Sequence, residues 1–175
     1  MRILGIDPGS VITGIGIIEY KNDSEVKLIS YDAVSLNPKS AISARLKIIY
    51  DTCIKIIKRF KPDELAIETA FYGKNIQSTL KLGQARGVAI IAGLNMGLTI
   101  SEYSPREIKK SVTGNGSASK EQVQFMIKKI LKIKLNPEFI DSSDALAVAL
   151  CHRYALAEPV IFPKIKKRKS TLKNQ

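Results

Sequence analysis

Four carboxylates stand at positions where chemistry is easy to imagine. The opening "MRILGIDPG" runs through the apolar Ile3-Leu4-Gly5-Ile6 straight into Asp7. Glu68 closes a second short apolar run, "ELAIE". Asp141 and Asp144 lie three apart at the start of a helical segment, so they share a face. Two carboxylates ~4 Å apart repel by about 4 kcal/mol at an effective dielectric near 20. If the four acids meet, they stay charged only with a cation among them. Oxygen ligands with no nearby His or Cys suit Mg²⁺ or Mn²⁺. Two such ions ~3.5–4 Å apart are a device for in-line phosphodiester cleavage. Each acid also has a local explanation. Asp7-Pro8-Gly9 suits a type II turn, and Glu68 can mark the polar end of a strand. Asp141 is a good N-cap, and Asp144 gains from the helix dipole. Only joint placement separates the two accounts.

Hydrophobic periodicity indicates what must position these residues. A strand ends at Asp7, and the β-branched "VITGIGIIEY" (11–20) forms a second, with Ile12, Gly14, Gly16 and Ile18 on one face. "VKLISYDAV" (26–34) makes a third, so short turns imply an antiparallel meander. From Ser40 to Phe60 the apolar spacing becomes helical, and Pro62 stops that helix. "ELAIE" is the fourth strand. A long helix spans about 75–95, where Gly83 and Gly87 share a face and would let another helix pack close. "LTISEY" is the fifth strand. Ser104-Pro105-Arg106-Glu107 is a capping box with Pro at the first helical position. Ser119 with Gln122 starts a further helix, and the last runs from about Asp141 to Ala157. Later strands alternate with helices, which implies parallel crossovers added to the meander. The expected fold is α/β, a five-stranded mixed sheet flanked by helices. The first and fourth strands and the last helix can then meet at one sheet edge. Residues 1–160 are expected to form one domain, with 161–175 a basic, disordered tail.

Composition narrows the partner. The chain has 175 residues and a formal net charge of +12, which favours a polyanion, nucleic acid before an anionic membrane. Cys53 and Cys151 fit no metal-ligand spacing and read as buried thiols of a reducing compartment. No apolar stretch is long enough to span a bilayer and no signal segment opens the chain, so a cytoplasmic protein is expected. Lys109, Lys110 and Lys120 flank the glycine-bearing loop "TGNGSAS", whose backbone amides can approach phosphate. Solvated lysines are the alternative. His152, eight residues after Asp144, reads as a packing or helix-surface histidine rather than a ligand or base.

"GIDPGS" at 5–10, "AIE" followed by Phe71, "LKLGQARGVAI" at 80–90, "GNGSASK" at 114–120 and "DSSDALAVALCH" at 141–152 resemble, in the same order, the RuvC family of Holliday junction resolvases. The resemblance implies a ribonuclease H-like fold and a homodimer. It also implies Mg²⁺-dependent (Mn²⁺ being possible) paired nicking of four-way DNA junctions in recombination and repair, with two ions per site. By matched motif, Asp7, Glu68, Asp141 and Asp144 would be the metal-binding catalytic acids. Some members carry His where this chain has Asp141. Phe71 would stack on or wedge bases, and Lys109 and Lys120 would contact the scissile phosphate region. A branch-migration helicase complex is an implied partner. A C2 dimer gives two equivalent sites for two strands, and the helix at 75–95 is the candidate interface, in competition with burial inside the monomer. Three alternatives remain open on residues alone. These are another ribonuclease H-like nuclease on hybrids or single strands, an actin-like phosphotransferase suggested by the Asp-Pro-Gly turn, and a DNA-binding module without catalysis.

Overall fold

The computed structural model describes residues 1–21, 25–69, 75–133 and 139–157, with the side chains of 139–141 excepted. Phe71 and the expected 161–175 tail lie outside the described residues. The chain runs β1 (Arg2–Asp7), β2 (Ile12–Glu19), β3 (Lys27–Ser35), α1 (Ile42–Phe60), β4 (Glu64–Glu68), α2 (Ile76–Asn95), β5 (Thr99–Tyr103), α3 (Pro105–Thr113), α4 (Lys120–Leu131) and α5 (Phe139–Ala157). One sheet of order β3-β2-β1-β4-β5 holds all five strands. β1–β2 and β2–β3 pair antiparallel, whereas β1–β4 and β4–β5 pair parallel. The expected mixed sheet is therefore the one found.

Side-chain alternation divides the interior into two layers. Leu4, Ile6, Ile15, Ile17, Leu65 and Ile67 point to one face, where Ile49, Cys53 and Ile57 of α1 and Ala85, Ala89 and Ala92 of α2 cover them. Ile3, Ile18 and Ala66 point to the other face, under α5 with α3 and α4 outside it. The α5 face is unusual for its small residues. A Cβ on Gly5 would stand 2.1 Å from the Ala145 carbonyl oxygen and 2.8 Å from the Ala149 nitrogen. One on Gly16, which pairs with Gly5 across β1–β2, would stand 2.7 Å from a Leu146 methyl. The helix thus lies directly on the backbone of the two strands. Both cysteines are buried as expected, and burial pushes their thiols up to about 12 at Cys53 and about 11 at Cys151.

Two local expectations are corrected, and a third concerns packing within the described chain. Positive φ among the described glycines occurs at Gly97 and Gly114, not at Gly9, so Asp7-Pro8-Gly9 is not a type II turn, which needs φ near +80° there. Gly9 is instead a close-approach glycine, since a Cβ there would lie 1.9 Å from the Ile12 carbonyl oxygen. Asp141 does not cap α5, because that helix already begins at Phe139. No helix of the described chain packs on Gly83 or Gly87, and a Cβ at either would meet nothing within 4 Å. The α2 glycine that does admit a neighbour is Gly93, against Leu65 and Ile100. The two capping boxes, at Ser104/Glu107 and Ser119/Gln122, form as the spacing predicts.

The Gly5 contact is with main chain, which cannot rotate aside. Gly5→Ala is expected to cost about 3 kcal/mol, roughly 10 °C in Tm, by thermal denaturation.

Candidate active site

Register sets the first two acids side by side. β1 and β4 are parallel neighbours paired Gly5↔Ala66 and Ile6↔Ile67, and the next residue on each strand is the carboxylate, Asp7 and Glu68. Alternation turns both toward the face that carries Gly5, Ala66 and α5. Because α5 rests on Gly5 through Ala145, the residue before it, Asp144, arrives over the same strand ends. Asp7, Glu68 and Asp144 accordingly line one cleft of about 340 Å³. Lys109 from α3 and Lys120 from the first turn of α4 line it too, and Ile108, Val123 and Ala147 form its apolar wall. Asp141 lies one helical turn before Asp144 in α5, with its side chain outside the described set. Phe71, three residues past Glu68, falls outside it altogether.

The local charges are not balanced. Lys120 Nζ stands 2.9 Å from Asp144 Oδ2. Even so, Glu68 is pushed up to about 7, first by burial and then by the charges of Asp7 and Asp144, against the smaller opposing pull of Lys109 and Lys120. Burial is the larger part of that rise, and the cleft's three acids outnumber its two lysines by one, a small local excess of negative charge. Hard oxygen donors under that excess suit a divalent cation. Among the described residues the acids do not form a ready-made group of three around a single point. The donor chemistry and the charge imbalance fit metal binding.

Residues outside the acids hold the loop that follows Asp7. Thr13 is buried, and its Oγ1 accepts from the Gly9 N–H at 3.3 Å and donates to the Gly9 carbonyl at 2.8 Å. Arg45, buried in the first turn of α1, donates from Nη1 to the Ser10 carbonyl at 2.5 Å. The Leu36 N–H donates to Val11 at 2.7 Å. Sequence reasoning missed Arg45, although its signal was present. It is a charged residue on the apolar stripe of Ile42, Leu46 and Ile49.

The "TGNGSAS" loop is held by its own hydrogen bonds. Four of its amides are engaged by the protein itself, Gly114 donating to Lys110, Asn115 to Thr113 Oγ1, Ser117 to Asn115 Oδ1 and Ala118 to Asn115. These bonds hold the turn between α3 and α4 and engage the Gly114 amide inside the protein. Lys110 is exposed and does not line the cleft. His152 is buried and remote from the acids, which bears out the packing reading.

Glu68 titrates near 4.5 in the unfolded chain and near 7 in the fold, so the folded state holds its proton more tightly. Stability should fall as pH rises through that interval and stay reduced above it, by at most roughly 3 kcal/mol. Glu68→Gln should remove the slope and raise Tm at pH 8 in chelated buffer, as followed by melting curves across pH.

The site and sheet together define a ribonuclease H-like nuclease, and comparison with known proteins agrees. The family described as crossover junction endodeoxyribonuclease RuvC matches residues 3–152. The chain belongs to that family. It is 51% identical to the RuvC crossover junction endodeoxyribonuclease of Chloroherpeton thalassium over 157 residues, covering 90% of this chain and 84% of the relative. Its counterpart in Tolumonas auensis is 50% identical over 152 residues, covering 87% and 86%. Among solved structures, Thermus thermophilus RuvC in complex with a Holliday junction substrate superposes with TM-score 0.83 at 30% identity, covering 90% of this chain and 95% of that one. The yeast mitochondrial Holliday junction resolvase Ydc2, at 14% identity and TM-score 0.63 over 85% and 76%, shares the fold.

Proposed function

We propose that this protein resolves four-way DNA junctions by metal-assisted hydrolysis of two symmetrically placed phosphodiesters. The observation that carries the reading is the convergence of Asp7, Glu68 and Asp144 in one cleft flanked by Lys109 and Lys120. Asp7, Glu68, Asp141 and Asp144 would hold two Mg²⁺ ions, or Mn²⁺ in their place. When bound, such ions supply Lewis acidity for attack by water and for departure of the 3′ oxygen. The protein's own part is positional. The strand ends fix Asp7 and Glu68, and α5 fixes Asp144. Lys109 and Lys120 offset phosphate charge beside the acids, and Phe71 stacks on or wedges the bases next to the cut. The net charge of +12 supplies the sequence-independent attraction to DNA. The protein would act in the cytoplasm, beside the chromosome, in concert with a branch-migration helicase.

Two cuts need two sites, and α2 offers the surface for a twofold dimer. Ile76, Leu80, Ile91 and Leu94 are exposed by 74%, 58%, 51% and 52%. With Gly83 and Gly87 between them they form one stripe on the helix, bulky at both ends and open in the middle. Such a stripe reads nearly the same in either direction, as an antiparallel self-pairing across a twofold axis requires.

Asp7→Asn is expected to keep junction binding and abolish cleavage, in a gel assay comparing a synthetic four-way junction with linear duplex and RNA–DNA hybrid, with and without Mg²⁺. Undiminished cleavage would refute the role given to the acid. Leu80→Glu should turn a dimer into a monomer by sedimentation. That monomer should nick single strands without paired, ligatable products.

A further inference from the structure

The last helix is fastened to the sheet a second time, far from the acids. His152 is 1% exposed, and its two ring nitrogens are both engaged. Nε2 lies 2.7 Å from Glu64 Oε2 and Nδ1 lies 2.7 Å from the Tyr103 hydroxyl. Each partner opens a route to the cleft. Glu64 begins β4, the strand that ends in Glu68. Tyr103 ends β5, accepts the Thr69 N–H at its carbonyl (2.8 Å) directly after Glu68, and precedes Ser104, the N-cap of the helix that carries Lys109. His152 itself shares α5 with Asp144, two turns away. One imidazole thus joins α5, which carries Asp144, to β4, which carries Glu68, and to the end of β5, directly before the helix that carries Lys109.

We propose that His152 is a positioning residue of the acidic cleft. Through Glu64 and Tyr103 it fixes the axial setting of α5 along β4 and β5, and so the spacing of Asp144 from Glu68. Gly5 and Gly16 let the helix approach the strands, and Leu146, Val148 and Leu150 are buried with Ile3 and Ile18, but apolar packing of this kind is non-directional. Two short hydrogen bonds from a buried ring supply an axial stop, and they are strongly directional. The proposal rests on the reading of the cleft as a metal site.

The test measures Mn²⁺ uptake without DNA, by electron paramagnetic resonance of the free ion, well below each variant's melting temperature. Junction cleavage is then titrated with Mn²⁺. His152→Ala should bind Mn²⁺ about tenfold more weakly and recover most of its cleavage rate at saturating metal. His152→Gln, whose amide can still reach a partner, should lie between Ala and the parent. Tyr103→Phe should weaken uptake in the same sense, and the His152→Ala/Tyr103→Phe pair should be no worse than His152→Ala alone, as members of one network are. Parental Mn²⁺ affinity in His152→Ala, or fully additive losses in the pair, would overturn the positioning role. If His152→Ala does not fold, Tyr103→Phe and Glu64→Gln decide the matter, and parental uptake in both overturns it. A parent protein that takes up no Mn²⁺ overturns the reading of the cleft itself.

Discussion

The arrangement depends on how near a helix can come to a sheet. Gly5 and Gly16 pair across β1 and β2, and neither has a side chain to hold α5 away. Ordinary residues there would lift the helix by the thickness of a methyl layer. Asp144 would then stand above the strand ends rather than among them. The acids meet because two residues that carry no chemistry are as small as residues can be.

Proximity creates an electrostatic difficulty that the fold leaves partly unresolved. Burial and two like charges raise Glu68, and two lysines offset only part of the effect. A protein built for stability alone would place an apolar side chain at that position. The opposite face of the same sheet shows what that looks like, with Leu4, Ile6, Leu65 and Ile67 packed under α1 and α2 and no carboxylate among them. The sheet thus separates a face given to cohesion from a face that carries strain, and the strained end is where a divalent cation would be most welcome.

Much of this was legible in the residues. Alternation and helical spacing gave all ten elements nearly to their ends, and the capping boxes at Ser104 and Ser119 were readable because that motif is local. The two strand-end acids were visible as carboxylates closing apolar runs. What could not be read was contact between distant segments. Gly83 and Gly87 looked like packing glycines and Gly93 did not, because spacing shows which residues share a face but not whether anything covers it. The turn at Asp7 invited a local explanation that fails only once the φ of Gly9 is known. Arg45 and the Glu64–His152–Tyr103 cluster escaped for the same reason, since their partners lie 35, 88 and 49 positions away along the chain.

The order of the elements carries a consequence for synthesis. β1 and β4, with Asp7 and Glu68, leave the ribosome early, whereas α5, which brings Asp144 and roofs Ile3, Ile18 and Ala66, follows every strand. Until it emerges, one side of the sheet lies bare and the acids are one partner short. Completion of folding and assembly of the acidic cleft are therefore a single event.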